Sequence, residues 1–506
     1  MKSILSSSIW GIIAKILDAF AKFVTIPLLV GYYGKSDYGL IALAFSLNAY
    51  LRLMDLGLNV GSIRFFSMWI AEGNIERLRQ ASRSSMIFYG VIGLLNASVF
   101  IWMSYYPTYL FSIESQQIPI FQNILYVLAA SSIFNWTLNV VTQLLVAQGQ
   151  IGLVNRISII PSILIFLTAI ISVKFDLPLS EYFIYYTLST LSVIPISLYR
   201  LKIIHSSLSQ LLKPAWNSGV FREIFVYSSS LFMIGIFQLS ADSLRPLLLS
   251  KFTQNGTSVL TDYRIIQTIS ALVVAFGSVF SQIILPSATR AYFNDDKSKL
   301  NTMVYDGTKY ISIFLCFVVF NIITSADLIL SVYMGESFKS LSPWLIIWLI
   351  TILLTLHKSP IDGLILSSGK TKFLLYTSAV SCVVSLPVTV ILAPKYEIGA
   401  AVIGYAIYML IQISCYYFFY IPIVLKLDST RIFFKSFLST VLIGVSASFA
   451  GLFIDKYFVL DSDLKHILLL STIVSAVYTL LTYIFVITRG DIQRFKLVFK
   501  SNVVNK

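Results

Sequence analysis

Trp10 to Val30 reads WGIIAKILDAFAKFVTIPLLV. Coiled as a helix at 1.5 Å per residue, it spans about 30 Å, the thickness of a bilayer's hydrocarbon core. Lys15, Asp18 and Lys22 interrupt the apolar run. Their i, i+3, i+7 spacing puts all three on one helical face. A Lys at mid-membrane costs about 2.5–3.5 kcal/mol on insertion scales, so that face is expected to turn away from lipid. The stretch therefore predicts a membrane helix with one wet side, packed among others. The same charges break any apolar signal-peptide core, so cleavage here is not expected.

The rest of the chain has the same character. Of 506 residues, 57% are hydrophobic and 12% charged, with Phe and Tyr far ahead of Trp, and the mean hydropathy is +0.82. These values lie outside the range of soluble globular proteins and define a polytopic, all-α membrane protein. In such a chain a net charge of +14 bears first on membrane orientation, and no nucleic-acid partner is expected. Cys316, Cys382 and Cys415 sit in apolar runs without ligand spacing, and His205, His357 and His466 are far apart. Neither set predicts a metal or redox site. No Gly-x-x-x-x-Gly-Lys-[Ser/Thr] loop is present, so an ATP-hydrolysing enzyme is not expected.

Apolar segments of about 20 residues predict six helices near 8–30, 38–63, 84–106, 120–146, 155–174 and 181–201. Six more follow near 224–249, 260–286, 305–333, 342–366, 373–393 and 399–424, and two near 434–454 and 465–488. With both termini in the cytoplasm, Lys and Arg concentrate in inner loops, as at Arg77, Arg79, Arg83, Arg200, Lys202, Lys370 and Lys372, and in the tail from Arg489 to Lys506. Outer loops then hold only Lys35, Lys174, Lys251, Lys339, Lys395, Lys456 and Lys465, as the positive-inside rule requires. Those loops are short, which argues against an external catalytic domain.

Matches recur at an offset of about 220 residues, the mark of an internal repeat. Pro27-Leu28-Leu29 answers to Pro246-Leu247-Leu248, Gly57 to Gly277, Gly149 to Gly369, and Lys174-Phe175-Asp176 to Lys395-Tyr396-Glu397. An even number of helices per copy makes the repeat parallel. The expected organisation is an N-terminal lobe (1–204), a cytoplasmic linker (205–222), a C-terminal lobe (223–425), and helices 13–14 with a basic tail (426–506). Prolines within predicted helices, among them Pro27, Pro246 and Pro387, are candidate bending points.

Further charges fall inside predicted helices. Lys15, Lys22, Arg52, Arg245, Arg264 and Lys358 are candidate cavity-lining cations, accompanied by Asp18, Asp55, Asp242 and Asp362. Sequence spacing predicts local pairs: Asp18 with Lys15 or Lys22, Asp55 with Arg52, Asp242 with Arg245, and Asp362 with Lys358. The four acids are either charge partners or ion-coupling sites. Lys309 and Arg64 lie near helix ends, from which a long side chain can snorkel. A net cationic cavity calls for an anionic substrate, and a phosphate or pyrophosphate head group suits it.

Several stretches, in order and spacing, resemble the polysaccharide biosynthesis transporters, the O-antigen flippase (Wzx) family of the multidrug/oligosaccharidyl-lipid/polysaccharide (MOP) exporter superfamily. They are IPLLVGYYGKSDYGL (26–40), LMDLGLNVGSIRF (53–65), DYRIIQTISALVVAFGSVFSQIILPSATR (262–290), YMGESFKSLSPWLII (333–347), LILSSGKTKFLL (364–375) and APKYEIGAAVIGYAI (393–407). The resemblance implies 14 helices in two lobes and flipping of an undecaprenyl-pyrophosphate-linked oligosaccharide, of O-antigen or capsule type, across the bacterial cytoplasmic (inner) membrane. Membrane lipid, a polysaccharide polymerase and chain-length proteins are the expected partners, with no cofactor beyond a coupling ion, Na⁺ or H⁺. Related lipid II flippases carry cavity-facing basic residues on helices one, two and eight, which Lys22, Arg52 and Arg264 resemble. Lys15 and Lys22 stand where Arg is typical, so point-charge contact is expected of them. A multidrug exporter of the same superfamily, expected to have an acidic cavity, and a membrane glycosyl polymerase or ligase are the alternatives.

Overall fold

A computed structural model describes residues 2–204, 208–293, 297–362, 372–458 and 462–491. Gly369, Lys370 and the tail beyond Asp491 lie outside the described residues, as does His205. All regular structure is helical, with no strand among the described residues. The principal helices are α1 (Lys2–Tyr33), α2 (Lys35–Leu51), α3 (Leu58–Ala71), α4 (Ile75–Tyr105), α5 (Ile118–Ala147), α6 (Ile159–Lys174), α7 (Leu179–Leu191), α8 (Ser218–Phe252) and α9 (Ser258–Phe293). They continue with α10 (Lys297–Thr324), α11 (Ser342–Leu356), α12 (Lys372–Tyr396), α13 (Ile398–Cys415), α14 (Ser439–Asp455) and α15 (Asp463–Phe485).

Among the described residues ten helices are long and apolar enough to cross a membrane, or eleven when the bent pair Lys35–Asp55 and Leu58–Ala71 counts as one span. Helices α1, α8 and α9 run to 32, 35 and 36 residues, each longer than the ~20 residues a crossing needs. The fourteen expected spans are consistent with this inventory. Because lipid cannot satisfy a bare peptide group, helix is the form such long apolar segments must take.

The chain divides into two compact units: Met1–Ala275 with Leu374–Tyr408, and Phe276–Phe373 with Met409–Lys506. In the first, Phe66 and Trp69 of α3, Tyr89 of α4, Trp136 and Leu144 of α5, and Ile224 of α8 belong to one buried cluster. Between membrane helices lipid supplies no hydrophobic drive, so small residues that admit close backbone approach carry the packing. Gly93 does this for α4 against α5: a Cβ there would lie 2.9 Å from the Cα of Ile133. In the second unit, Leu315 and Phe320 of α10, Leu349 of α11, Ala447 of α14 and Val474 of α15 are buried. A Thr324–Ser448 hydroxyl bond of 2.8 Å ties α10 to α14, and the Tyr478 hydroxyl of α15 donates to the Ile313 carbonyl at 2.9 Å.

The second predicted helix is not continuous. After Leu51 the chain tightens into a 3₁₀ turn, Arg52–Asp55. It then passes through left-handed Leu56 (φ 52°) and Gly57 (φ 74°), and resumes as α3 with a bend of 46°. A Cβ on Gly57 would meet the Ser228 carbonyl oxygen at 2.7 Å. Conformation and space therefore both require glycine here. Gly57→Ala is expected to lower stability by about 1–3 kcal/mol, read as reduced thermal stability of the purified protein in detergent.

The repeat is visible in local backbone. Asp176 and Glu397, which end the paired Lys-Phe-Asp and Lys-Tyr-Glu motifs, are both left-handed at φ 51° and 49°. The lysines of the two motifs sit alike over the neighbouring rings, Lys174 5.9 Å from Phe175 and Lys395 5.3 Å from Tyr396.

Candidate functional site

The stretch of α1 that carries Asp18 and Lys22 lies against a cavity within the first unit. Its volume is about 350 Å³, and its walls include Asp18 and Lys22 of α1, Arg52 at the end of α2, and Arg264 of α9. Lys22 Nζ lies 2.6 Å from the Asp18 carboxylate. Both side chains are about half exposed, and a pair so open to water contributes little, on the order of 0–1 kcal/mol. It can therefore rearrange readily around a ligand. Arg264 donates to Gln267 Oε1 at 2.6 Å and lies 5.4 Å from the Phe45 ring, which fixes its guanidinium without neutralising it.

Arg52 is exposed, and among the described residues it makes no ion pair. The expected bond to Asp55 does not form. Asp55 instead accepts the Tyr89 hydroxyl at 2.7 Å and the Asn59 backbone N–H at 3.1 Å. The break after the 3₁₀ turn starts a new helix at Leu58, and a carboxylate is drawn to its unsatisfied N–H groups. One carboxylate and three cations therefore line this cavity, leaving two arginine charges uncompensated.

A second cavity of about 440 Å³ shares Phe45, Asn48, Arg52 and Tyr186 with the first. It adds Asp55, Asn59, Asn135, Trp136, Asn139 and Thr187, among others. Behind its wall a buried chain of bonds runs from Gln143 to the Tyr89 hydroxyl (2.8 Å) and from that hydroxyl to Asp55. Gln143 also donates to Asn59 Oδ1 at 3.3 Å.

The other predicted cations are placed differently. Lys15 is exposed on α1 and lines neither cavity. Arg245 is buried at 1% exposure. Its guanidinium lies 3.5 Å from Asp242, 3.3 Å from Ser385 Oγ, and 5.0 and 5.5 Å from the Tyr405 and Tyr408 rings. Lys358 is likewise buried in the second unit, bonded to Asp362 at 2.8 Å and 4.6 Å from the Tyr416 ring. These two pairs follow the predicted spacing.

Lys309 does not snorkel. It is buried on α10, where its ammonium meets the Asp491 carboxylate at 2.6 Å. Arg64 rests 4.2 Å from the Tyr227 ring.

Sequence reasoning missed the polar lining without charge. Asn48, Asn135 and Asn139 carry no insertion penalty large enough to stand out in a membrane helix, so composition alone does not flag them. It also missed Asp262, almost fully buried and 2.7 Å from Lys35 Nζ. The Thr261 hydroxyl donates to the Lys35 carbonyl beside it, at 2.6 Å.

The fold and the charged cavity describe a multi-pass membrane protein built like the MOP-superfamily transporters. Over residues 34–343 the sequence matches the family described as polysaccharide biosynthesis protein, and the chain belongs to that family. No curated protein is significantly similar in sequence. Among solved structures, the chain is similar to the lipid II flippase MurJ in an inward closed conformation, with a TM-score of 0.74 and 15% identity, over 95% of this chain and 98% of that one. It is similar to an inward-facing multidrug resistance MATE family transporter, with a TM-score of 0.61 and 15% identity, over 78% and 92%. A third structure, a MOP superfamily transporter from Pyrococcus furiosus described as having a binding pocket of reverse polarity, gives a TM-score of 0.57 and 15% identity, over 85% and 96%. At these identities the likeness is one of fold.

Proposed function

We propose that this protein flips an undecaprenyl-pyrophosphate-linked oligosaccharide, an O-antigen or capsule-type repeat unit, from the inner to the outer leaflet of the bacterial cytoplasmic membrane. Transport is by alternating access, with both termini cytoplasmic. The observation that carries this reading is the convergence of Lys22, Arg52 and Arg264 on one cavity in a chain of the polysaccharide biosynthesis protein family. Two guanidinium forks and an ammonium suit the oxygens of a diphosphate. The polyprenyl chain stays in lipid while the head group crosses.

A multidrug exporter, the main alternative, would concentrate acid where cationic cargo binds. Here Asp18 is the one carboxylate among the residues lining the cation-rich cavity and is already bonded to Lys22, which favours the anionic cargo. Asp18 and Asp242 are the candidate sites for a coupling ion, Na⁺ or H⁺.

Exporting about two negative charges against a negative cytoplasm gains roughly 4–5 kcal/mol per 100 mV. The test is flipping of a fluorescent polyprenyl-diphosphate oligosaccharide in proteoliposomes under imposed potentials at fixed ion gradients. Rates are expected to rise with an inside-negative potential for export-oriented protein. Absence of flipping in any condition would overturn the proposed function, and flipping indifferent to potential would remove the electrical contribution.

A further inference from the structure

The second cavity has chemistry that a diphosphate does not need. Asn48, Asn135 and Asn139 line it, and their side-chain amides make no hydrogen bond among the described residues. Each carboxamide offers two donors and an acceptor, the mixed pattern that sugar hydroxyls and acetamido groups present in return. An anion would use only the donors.

Trp136 adds an aromatic wall. Its ring, 8% exposed, stacks on Tyr89 at 5.9 Å and 21°, which fixes its plane beside the asparagines. Asp55 and Asn59 are held in the same wall by the Tyr89–Gln143 network. A carboxylate accepts two hydroxyls at once but repels phosphate, so Asp55 further separates this cavity's preference from its neighbour's. The volume of about 440 Å³ falls within the range of small-molecule sites, about 300–1,000 Å³.

Arg52 and Asn48 line both cavities, so a ligand whose diphosphate lies against Arg52 extends its next group toward the asparagines. We infer that the cavity bounded by Asn48, Asn135, Asn139 and Trp136 is a binding site for the neutral sugar joined directly to the diphosphate. This rests on the proposed diphosphate site and adds the element that selects among cargoes. Asn135 and Asn139, one helical turn apart on α5, select the sugar, while Arg264 lines the diphosphate cavity alone and is blind to it.

The test uses the full chain in lipid nanodiscs, titrated by native mass spectrometry with a sugar-free polyprenyl diphosphate and with the same lipid bearing one hexose, one N-acetylhexosamine or one deoxyhexose. The wild type is expected to bind at least one sugar-bearing probe about tenfold more tightly than the sugar-free lipid, the equivalent of one or two net hydrogen bonds. Asn135→Ala/Asn139→Ala should remove that margin and leave sugar-free binding unchanged. Arg264→Ala should weaken all probes alike. Asn135→Ala alone, at an exposed position, guards against misfolding of the double variant and should remove part of the margin. Equal affinity for all probes in the wild type overturns the sugar site, as does a double variant that keeps the margin or weakens every probe equally. Failure of the wild type to bind any probe overturns the diphosphate reading and the sugar site with it.

Discussion

Reversing the charge at Arg52 or Arg264, as Arg52→Glu or Arg264→Glu, is expected to lower the flipping rate at least a hundredfold. Each guanidinium can make charge-assisted bonds to phosphate oxygens, worth about 1.5–3 kcal/mol apiece. Reversal removes that contribution and adds repulsion of similar size. The two positions should behave alike, because both lie in the same cavity and neither is neutralised by an acidic partner there. Lys22→Glu should do less, since Lys22 already shares its charge with Asp18. The measurement is flipping in proteoliposomes with insertion and quantity of each variant confirmed. Export at the normal rate in both arginine variants would remove the cationic cavity from the mechanism.

Asp491→Ala is expected to destabilise the second unit by about 3–5 kcal/mol, the usual consequence of leaving a buried charge unpaired. Lys309 and Asp491 are 4% and 5% exposed, so water cannot replace the lost carboxylate. The carboxylate also accepts the Tyr310 hydroxyl at 2.6 Å and the Thr488 N–H and hydroxyl at 2.7 Å each. The double variant Lys309→Met/Asp491→Leu should recover most of the loss, because two apolar side chains leave no orphaned charge. Thermal unfolding of the purified variants separates these outcomes, and a single variant as stable as the wild type would contradict the pairing.

The same cluster predicts a pH response. Burial pushes the Asp491 carboxyl up, but its bonds to Lys309, Tyr310 and Thr488 outweigh this and hold it well below the usual carboxylate range. A depressed folded-state pKa gives stability that is fully present well above the unfolded value of about 3.9 and is lost progressively as pH falls from there through the folded value. In thermal unfolding followed across pH, this contribution should therefore stay constant from neutral pH down to about pH 5 and decline below it.

Most of the helical plan was legible because membrane insertion leaves a coarse signal: long apolar runs, and charges that stand out within them. Lys22, Arg52 and Arg264 stand out by that cost, as Lys15, Arg245 and Lys358 do equally; the first three line one cavity and the other three line neither. Other features depend on partners distant in sequence. Lys309 meets a carboxylate 182 residues away, so neither neighbouring spacing nor snorkelling could foretell it. The break at Leu56–Gly57 was hidden because glycine is common in membrane helices, and because the contact that excludes any other residue comes from Ser228 on α8. Gly57 matched Gly277 in the repeat without disclosing that it ends a helix. The asparagines were silent for the opposite reason: they are polar enough to bind, yet too mild to register as anomalies.

The broken helix also has an electrical consequence. By placing Asp55 at the start of α3, it leaves Arg52 as a standing charge, which with Arg264 makes two. A diphosphate joined at both ends carries about two opposite charges, so the occupied cavity is close to neutral and its reorientation scarcely senses the field. The empty carrier, returning with both arginines bare, moves about two positive charges toward a negative interior. On the proposed cycle the voltage-sensitive step is therefore the reset, and the potential governs how often the carrier comes back for cargo more than how fast it delivers it.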